Sequence, residues 1–124
     1  MKINFSLFSI IFLLFILGCS NKTNNGGSGS SGAEIKEFRI TAKQFSFEPE
    51  SIEVSKGDKV RLIVTSVDVA HGISIPEYQI NERLDVGKPV TIEFTADKSG
   101  SFAEFCSVFC GQGHGKMKGS IIVK

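Results

Sequence analysis

Two thiols, an imidazole and a thioether fall within twelve consecutive residues, Cys106-Ser-Val-Phe-Cys110-Gly-Gln-Gly-His114-Gly-Lys-Met117. Soft sulfur donors together with imidazole select copper over hard cations such as magnesium and calcium. Three glycines in the run, Gly111, Gly113 and Gly115, would each cost about 1 kcal/mol in a helix. The segment therefore reads as a loop that can wrap an ion, with glycines letting the backbone come close to it. His71, the other of the chain's two histidines, stands in Ser66-Val-Asp-Val-Ala-His71-Gly72, just after a strand pattern. A lone histidine in such a place is more often structural, but the presence of its counterpart in a ligand cluster makes His71 a candidate ligand. Asp68, three residues earlier, either orients that imidazole or is a solvated loop carboxylate.

Several kinds of site compete for these residues. In an exported protein, Cys106 and Cys110 are first suspected of forming a disulfide. A mononuclear blue copper site uses two histidines, one cysteine and a weak axial methionine, which leaves a cysteine over. A tetrahedral zinc site could take Cys106, Cys110, His71 and His114, which leaves Met117 without a role. Two thiolates bridging two copper ions, each ion capped by one histidine, use every donor. Met117 and a backbone carbonyl then serve as the weak ligands. The same glycines could suggest a phosphate-binding loop, but no strand–helix context surrounds them.

The loop needs a rigid frame, and the flanking sequence supplies strands. A strand from Ser101 to Cys106 and another from Gly119 to Val123 hold its two ends. Elsewhere Phe45 and Phe47, Ile52 and Val54, Val60, Leu62 and Val64, and Ile92 and Phe94 alternate with polar residues. Turn signals punctuate these runs at Glu48-Pro49, Lys56-Gly57-Asp58, Val86-Gly87-Lys88-Pro89 and Asp97-Lys98-Ser99-Gly100. Short alternating strands at this spacing imply an all-β sandwich or barrel. A helical turn is expected only near 77–84, since no stretch keeps a helical period for ten residues. The charges on Glu48, Glu50, Glu53, Lys56, Asp58 and Lys59 read as a solvated face.

The chain has 124 residues and a formal net charge of +1. That length accommodates one ordinary domain, and without a basic block it offers nucleic acid no electrostatic footprint. Ile3–Gly18 is uncharged and rich in Phe, Leu and Ile. It is shorter than the ~20 residues of a membrane-crossing helix and fits a secretory signal. Its end, Ile16-Leu17-Gly18-Cys19, resembles the lipobox of bacterial lipoproteins, which implies lipidation of Cys19 as the new amino terminus. Residues 20–32 contain no apolar side chain and read as a tether with a root-mean-square reach of roughly 20 Å. The expected organisation is a signal peptide over 1–18, a lipidated cysteine and tether over 19–32, and a folded domain over 33–124. More than one acyl chain would make a stable membrane anchor. The domain is expected on the outer face of the cytoplasmic membrane or in the periplasm.

The pattern Cys-x3-Cys-x3-His-x2-Met resembles the binuclear CuA site of cytochrome c oxidase subunit II, which also occurs in nitrous oxide reductase. Phe45-Ser-Phe-Glu-Pro, Lys56-Gly-Asp, Asp68-Val-Ala-His-Gly-Ile-Ser-Ile-Pro76 and Gly119-Ser-Ile-Ile-Val123 follow in the same order as in that family's copper domain. The resemblance implies a cupredoxin-like Greek-key β-sandwich or barrel. It also implies two copper ions bridged by Cys106 and Cys110 and capped by His71 and His114. Met117 becomes the axial thioether, and Val108 contributes its main-chain carbonyl. Many relatives carry a glutamate at the position of Val108 and use it on a neighbouring magnesium, so copper without magnesium is expected here. The family's usual tryptophan-containing aromatic cluster is absent, and Phe45 and Phe47 in the corresponding stretch read as core. A lipidated tether stands where relatives have two membrane-spanning helices.

The function implied is electron transfer, from a c-type cytochrome or small copper protein to a haem–copper terminal oxidase or similar reductase. No general base, substrate pocket or open coordination position is evident, so the domain is not expected to catalyse a reaction alone. It could serve as the subunit through which electrons enter an oxidase. A copper delivery or storage module for oxidase assembly is the alternative.

Overall fold

Apolar residues at every second position need a common surface to face, and two sheets provide it for each other. The computed structural model describes residues 34–124; the expected signal peptide, Cys19 and tether lie outside the described residues. Nine strands run in the order β1 Ile35–Lys43, β2 Ser46–Glu48, β3 Ser51–Val54, β4 Lys59–Ser66, β5 His71–Ile75, β6 Ile80–Leu84, β7 Val90–Thr95, β8 Gly100–Phe105 and β9 Lys118–Val123. One sheet has the order β2-β1-β4-β7 and the other β3-β9-β8-β5-β6. β1 pairs parallel to β4 and β3 parallel to β9, while the other neighbours run antiparallel. The chain thus crosses repeatedly between the sheets, and the architecture is the all-β sandwich implied by the alternation.

β4 shows how the pattern becomes packing. Val60, Leu62 and Val64 are buried, whereas Arg61 between them faces out and lies 2.7 Å from Glu93 on β7. Ile40 from β1, Phe47 from β2, Ile73 and Ile75 from β5 and Ile121 from β9 fill the space between the sheets. Full burial of each such side chain stabilises the fold by about 1.5–3 kcal/mol.

The helical turn expected near 77–84 is shorter and earlier. A 3₁₀ turn covers Pro76–Tyr78 and is closed by Gln79, whose N–H donates to the Pro76 carbonyl at φ 55°. Ile80–Leu84 is strand, because it pairs antiparallel with His71–Ile75. His71 likewise begins a strand, where a strand-to-loop position was expected. Among the described residues, no helix is long and apolar enough to cross a membrane.

Candidate metal centre

The β8–β9 hairpin fixes the loop. Its register sets Phe105 opposite Lys118, so Cys106 and Met117 meet at the neck, where the Cys106 N–H donates to the Met117 carbonyl at 3.1 Å. Past that neck the loop turns at Gly111, which adopts φ 134°, a conformation open to glycine. A 3₁₀ turn, His114–Lys116, then returns the chain to β9. β5 lies beside β8 and delivers His71 to the same end of the sandwich. A Cβ on Gly72 would meet the Val108 backbone N at 2.9 Å, so the glycine lets the 107–108 segment lie against β5.

The four sulfur and nitrogen donors are thereby brought into successive close contact. His71 Nδ1 is 3.8 Å from Cys106 Sγ, Cys106 Sγ is 3.7 Å from Cys110 Sγ, and Cys110 Sγ is 3.7 Å from His114 Nδ1. Met117 Sδ lies 3.9 Å from Cys110 Sγ, and the Val108 carbonyl oxygen lies 3.1 Å from Cys106 Sγ. His71 and Met117 are 0% exposed, Cys106 4% and Cys110 6%; His114 is half-buried. The structure therefore brings together the six candidate ligands His71, Cys106, Val108, Cys110, His114 and Met117.

His71 is oriented from behind. Its Nε2 lies 2.8 Å from Asp68 Oδ1, which assigns the ring proton to Nε2 and leaves Nδ1 free as a donor to an ion. Of the two placements open to Asp68 in the sequence, orientation of the imidazole is the one observed. Burial works against the Asp68 carboxylate, yet the hydrogen bonds it accepts from Gln44 N–H, His71 and Val69 N–H hold its pKa below the ordinary value. Burial also raises the Cys110 thiol, with the hydrogen bond and charge of Cys106 acting in the same direction. A metal ion binding the Cys110 sulfur must therefore displace its proton.

The geometry sets the disulfide aside. Cys106 and Cys110 are free, and 3.7 Å is far beyond the ~2.05 Å of a disulfide bond. It suits two sulfurs that each lie about 2.3 Å from a shared ion. His71, Cys106 and Cys110 present ligand atoms within 4.8 Å of one another. Each thiol has its own imidazole, and a thioether closes one side. The chemistry of the donor set fits copper.

Two residues beside the site were not identified from sequence. Gln44, in the β1–β2 turn, donates from Nε2 to the Cys110 carbonyl at 2.8 Å, and its backbone N–H donates to Asp68 Oδ2 at 2.6 Å. Sixty-six residues separate Gln44 from Cys110, and no short-range pattern links them. Phe45 was expected in the core with Phe47. Phe47 is there, but Phe45 is 38% exposed, and its ring covers Gly111 and Gly113, where a Cβ would strike it. The close approach these two glycines permit is thus to an aromatic ring. Phe109, 75% exposed, stands 5.7 Å from the His114 ring.

A two-sheet sandwich that carries a buried soft-donor cluster at one end defines a small β metalloprotein. The family model of the cupredoxin-like domain matches residues 9–123, and the chain belongs to that family. It is 34% identical over 85 residues to cytochrome c oxidase subunit 2 of Thermus thermophilus, covering 68% of this chain and 63% of that one. It is 34% identical over 90 residues to nitrous-oxide reductase of Ralstonia nicotianae, covering 69% of this chain and 14% of that protein. The chain thus spans less than two thirds of the length of these curated relatives. A chain from a heme-copper terminal oxidase dimer superposes with a TM-score of 0.67 at 29% identity, covering 77% of this chain and 67% of that one.

Proposed function

We propose that this protein is an electron carrier holding two copper ions in a CuA-type centre. Cys106 and Cys110 would bridge the ions, His71 and His114 would cap them through Nδ1, and Met117 and the Val108 carbonyl would be the weak ligands. The observation that carries this reading is the pair of buried, unbonded thiols 3.7 Å apart, with an imidazole nitrogen 3.8 Å from one and 3.7 Å from the other. Similarity to oxidase subunit 2 and to nitrous-oxide reductase supports it. The copper pair supplies a reversible one-electron change. β5 and the ends of β8 and β9 hold His71, Cys106 and Met117 in fixed positions, which limits rearrangement on each transfer. Burial keeps water from the thiols and Met117, and half-buried His114 beside exposed Phe109 is the side on which electrons exchange with partners.

The donor is a c-type cytochrome or another cupredoxin, and the acceptor is a haem–copper oxidase or similar reductase. Residues 1–18 act as an export signal, Cys19 carries the lipid anchor, 20–32 form the tether and 33–124 the redox domain. The protein then works on the outer face of the cytoplasmic membrane or in the periplasm. A delivery protein needs donors that a partner can reach, and the near-complete burial of His71, Cys106, Cys110 and Met117 disfavours that alternative. Loading the purified chain with copper tests the reading. Two coppers per chain and an unpaired electron shared between them are expected; one copper with a localised Cu(II) signal overturns it.

A further inference from the structure

We infer that Gln44 is a positioning residue for the centre, setting the orientation of Cys110 and coupling it to His71 from the opposite sheet. The inference rests on the copper reading for its consequence, but its geometry is a property of the chain alone. Cys106 is anchored directly by β8 and by its bond to Met117 at the hairpin neck. Cys110 lies inside the loop, outside the strand pairing, and is followed by the glycine-rich Gly111-Gln-Gly113. Its carbonyl accepts from Gln44 Nε2 at 2.8 Å, so Gln44 supplies the restraint that strand pairing gives Cys106.

Gln44 is itself held. Its backbone N–H donates to Asp68 Oδ2, whose other oxygen bonds His71. His71, Asp68, Gln44 and Cys110 thus form one hydrogen-bonded path around the outside of the donors. Phe45, the next residue, rests on Gly111 and Gly113 and keeps the β1–β2 turn seated on the loop. Gln44 is exposed and contributes nothing to the core, so its substitution leaves the sandwich intact. Partners that orient metal ligands in this way typically alter affinity about 10–100-fold when removed.

The test uses the full chain with Gln44→Met, which keeps bulk and removes the donor, and Gln44→Glu, which keeps shape and replaces the donor with an acceptor. In the metal-free protein, Cys110 is expected to react several-fold faster with iodoacetamide in both variants, while Cys106 is unchanged, as mapped by peptide mass. In the copper-loaded protein, both variants should show displaced visible bands and hold copper about 10–100-fold less tightly than wild type in competition with a chelator. Wild-type thiol reactivity and copper retention in both variants overturn the role. Wild-type behaviour of Gln44→Met alone also overturns it, because bulk would then be all that matters. Failure of the wild type to take up two coppers sinks the copper reading alone, since the thiol measurement still decides the positioning role.

Discussion

Asp68 uses both carboxylate oxygens on the centre, one toward His71 Nε2 and one toward the Gln44 N–H. Asp68→Ala should therefore leave the fold in place and weaken copper binding by about 10–100-fold, read by competition with a chelator of known affinity. Unchanged retention would show that His71 is fixed by packing alone. The two thiols make a sharper case, since one sulfur cannot bridge as two do. Cys110→Ser should lower the copper content from two per chain to one and give a localised Cu(II) signal by EPR. At this scale four candidate ligands were legible by type and by spacing within twelve residues, His71 followed as the other histidine of the chain, and Asp68 lies close enough to it to be suspected. Gln44 was invisible because its partner is 66 residues away. Only the meeting of two sheets brings them together.

Elements place these residues through register and close approach. The alternation of β4 and the turn at Gly57 were readable because one side of each strand must be buried. The short turn at 76–78 and the strand at 80–84 were not, since Ile80–Leu84 carries three exposed polar residues, Asn81, Glu82 and Arg83, with no buried stripe to set its period. Its strand character comes from pairing with β5. Phe45 was misplaced for a related reason. Local alternation groups it with Phe47, but the β1–β2 turn intervenes, since β2 begins at Ser46, and sends its ring onto the ligand loop. The contact between Phe45 and Gly113 predicts a specific coupling. Gly113→Ala should push the ring away and destabilise the protein by about 1–3 kcal/mol, the usual range for overpacking. Combining it with Phe45→Ala should recover part of that loss, so that the two changes are non-additive in a double-mutant cycle from urea unfolding. Strict additivity would mean that the ring does not rest on the glycine.

One consequence belongs to the whole molecule, because it is expressed in global stability. Cys106 must face the sandwich interior to meet His71, and the two-residue period of β8 then turns Glu104 inward as well. Glu104 is 2% exposed, lies over Gly119, and its Oε1 has no hydrogen-bond partner among the described residues. Burial alone raises its pKa from 4.5 to about 7. The folded protein therefore holds this proton more tightly than the unfolded chain, and unfolding releases it between those two values. Stability must fall as pH rises from about 4.5 to about 7 and then level off, with a total loss of about 3 kcal/mol from this group. Asp68 acts in a different window with the opposite sign: its lowered pKa stabilises the fold above the ordinary carboxylate range and is lost only in stronger acid. Glu104→Gln keeps the neutral shape and cannot ionise. Urea unfolding of the metal-free proteins at pH 5 and pH 8 separates the contributions, since other groups cancel between wild type and variant. The variant should gain up to about 3 kcal/mol on the wild type between the two pH values. A constant difference would mean that Glu104 is solvated in solution and that the inward register of β8 carries no electrostatic penalty.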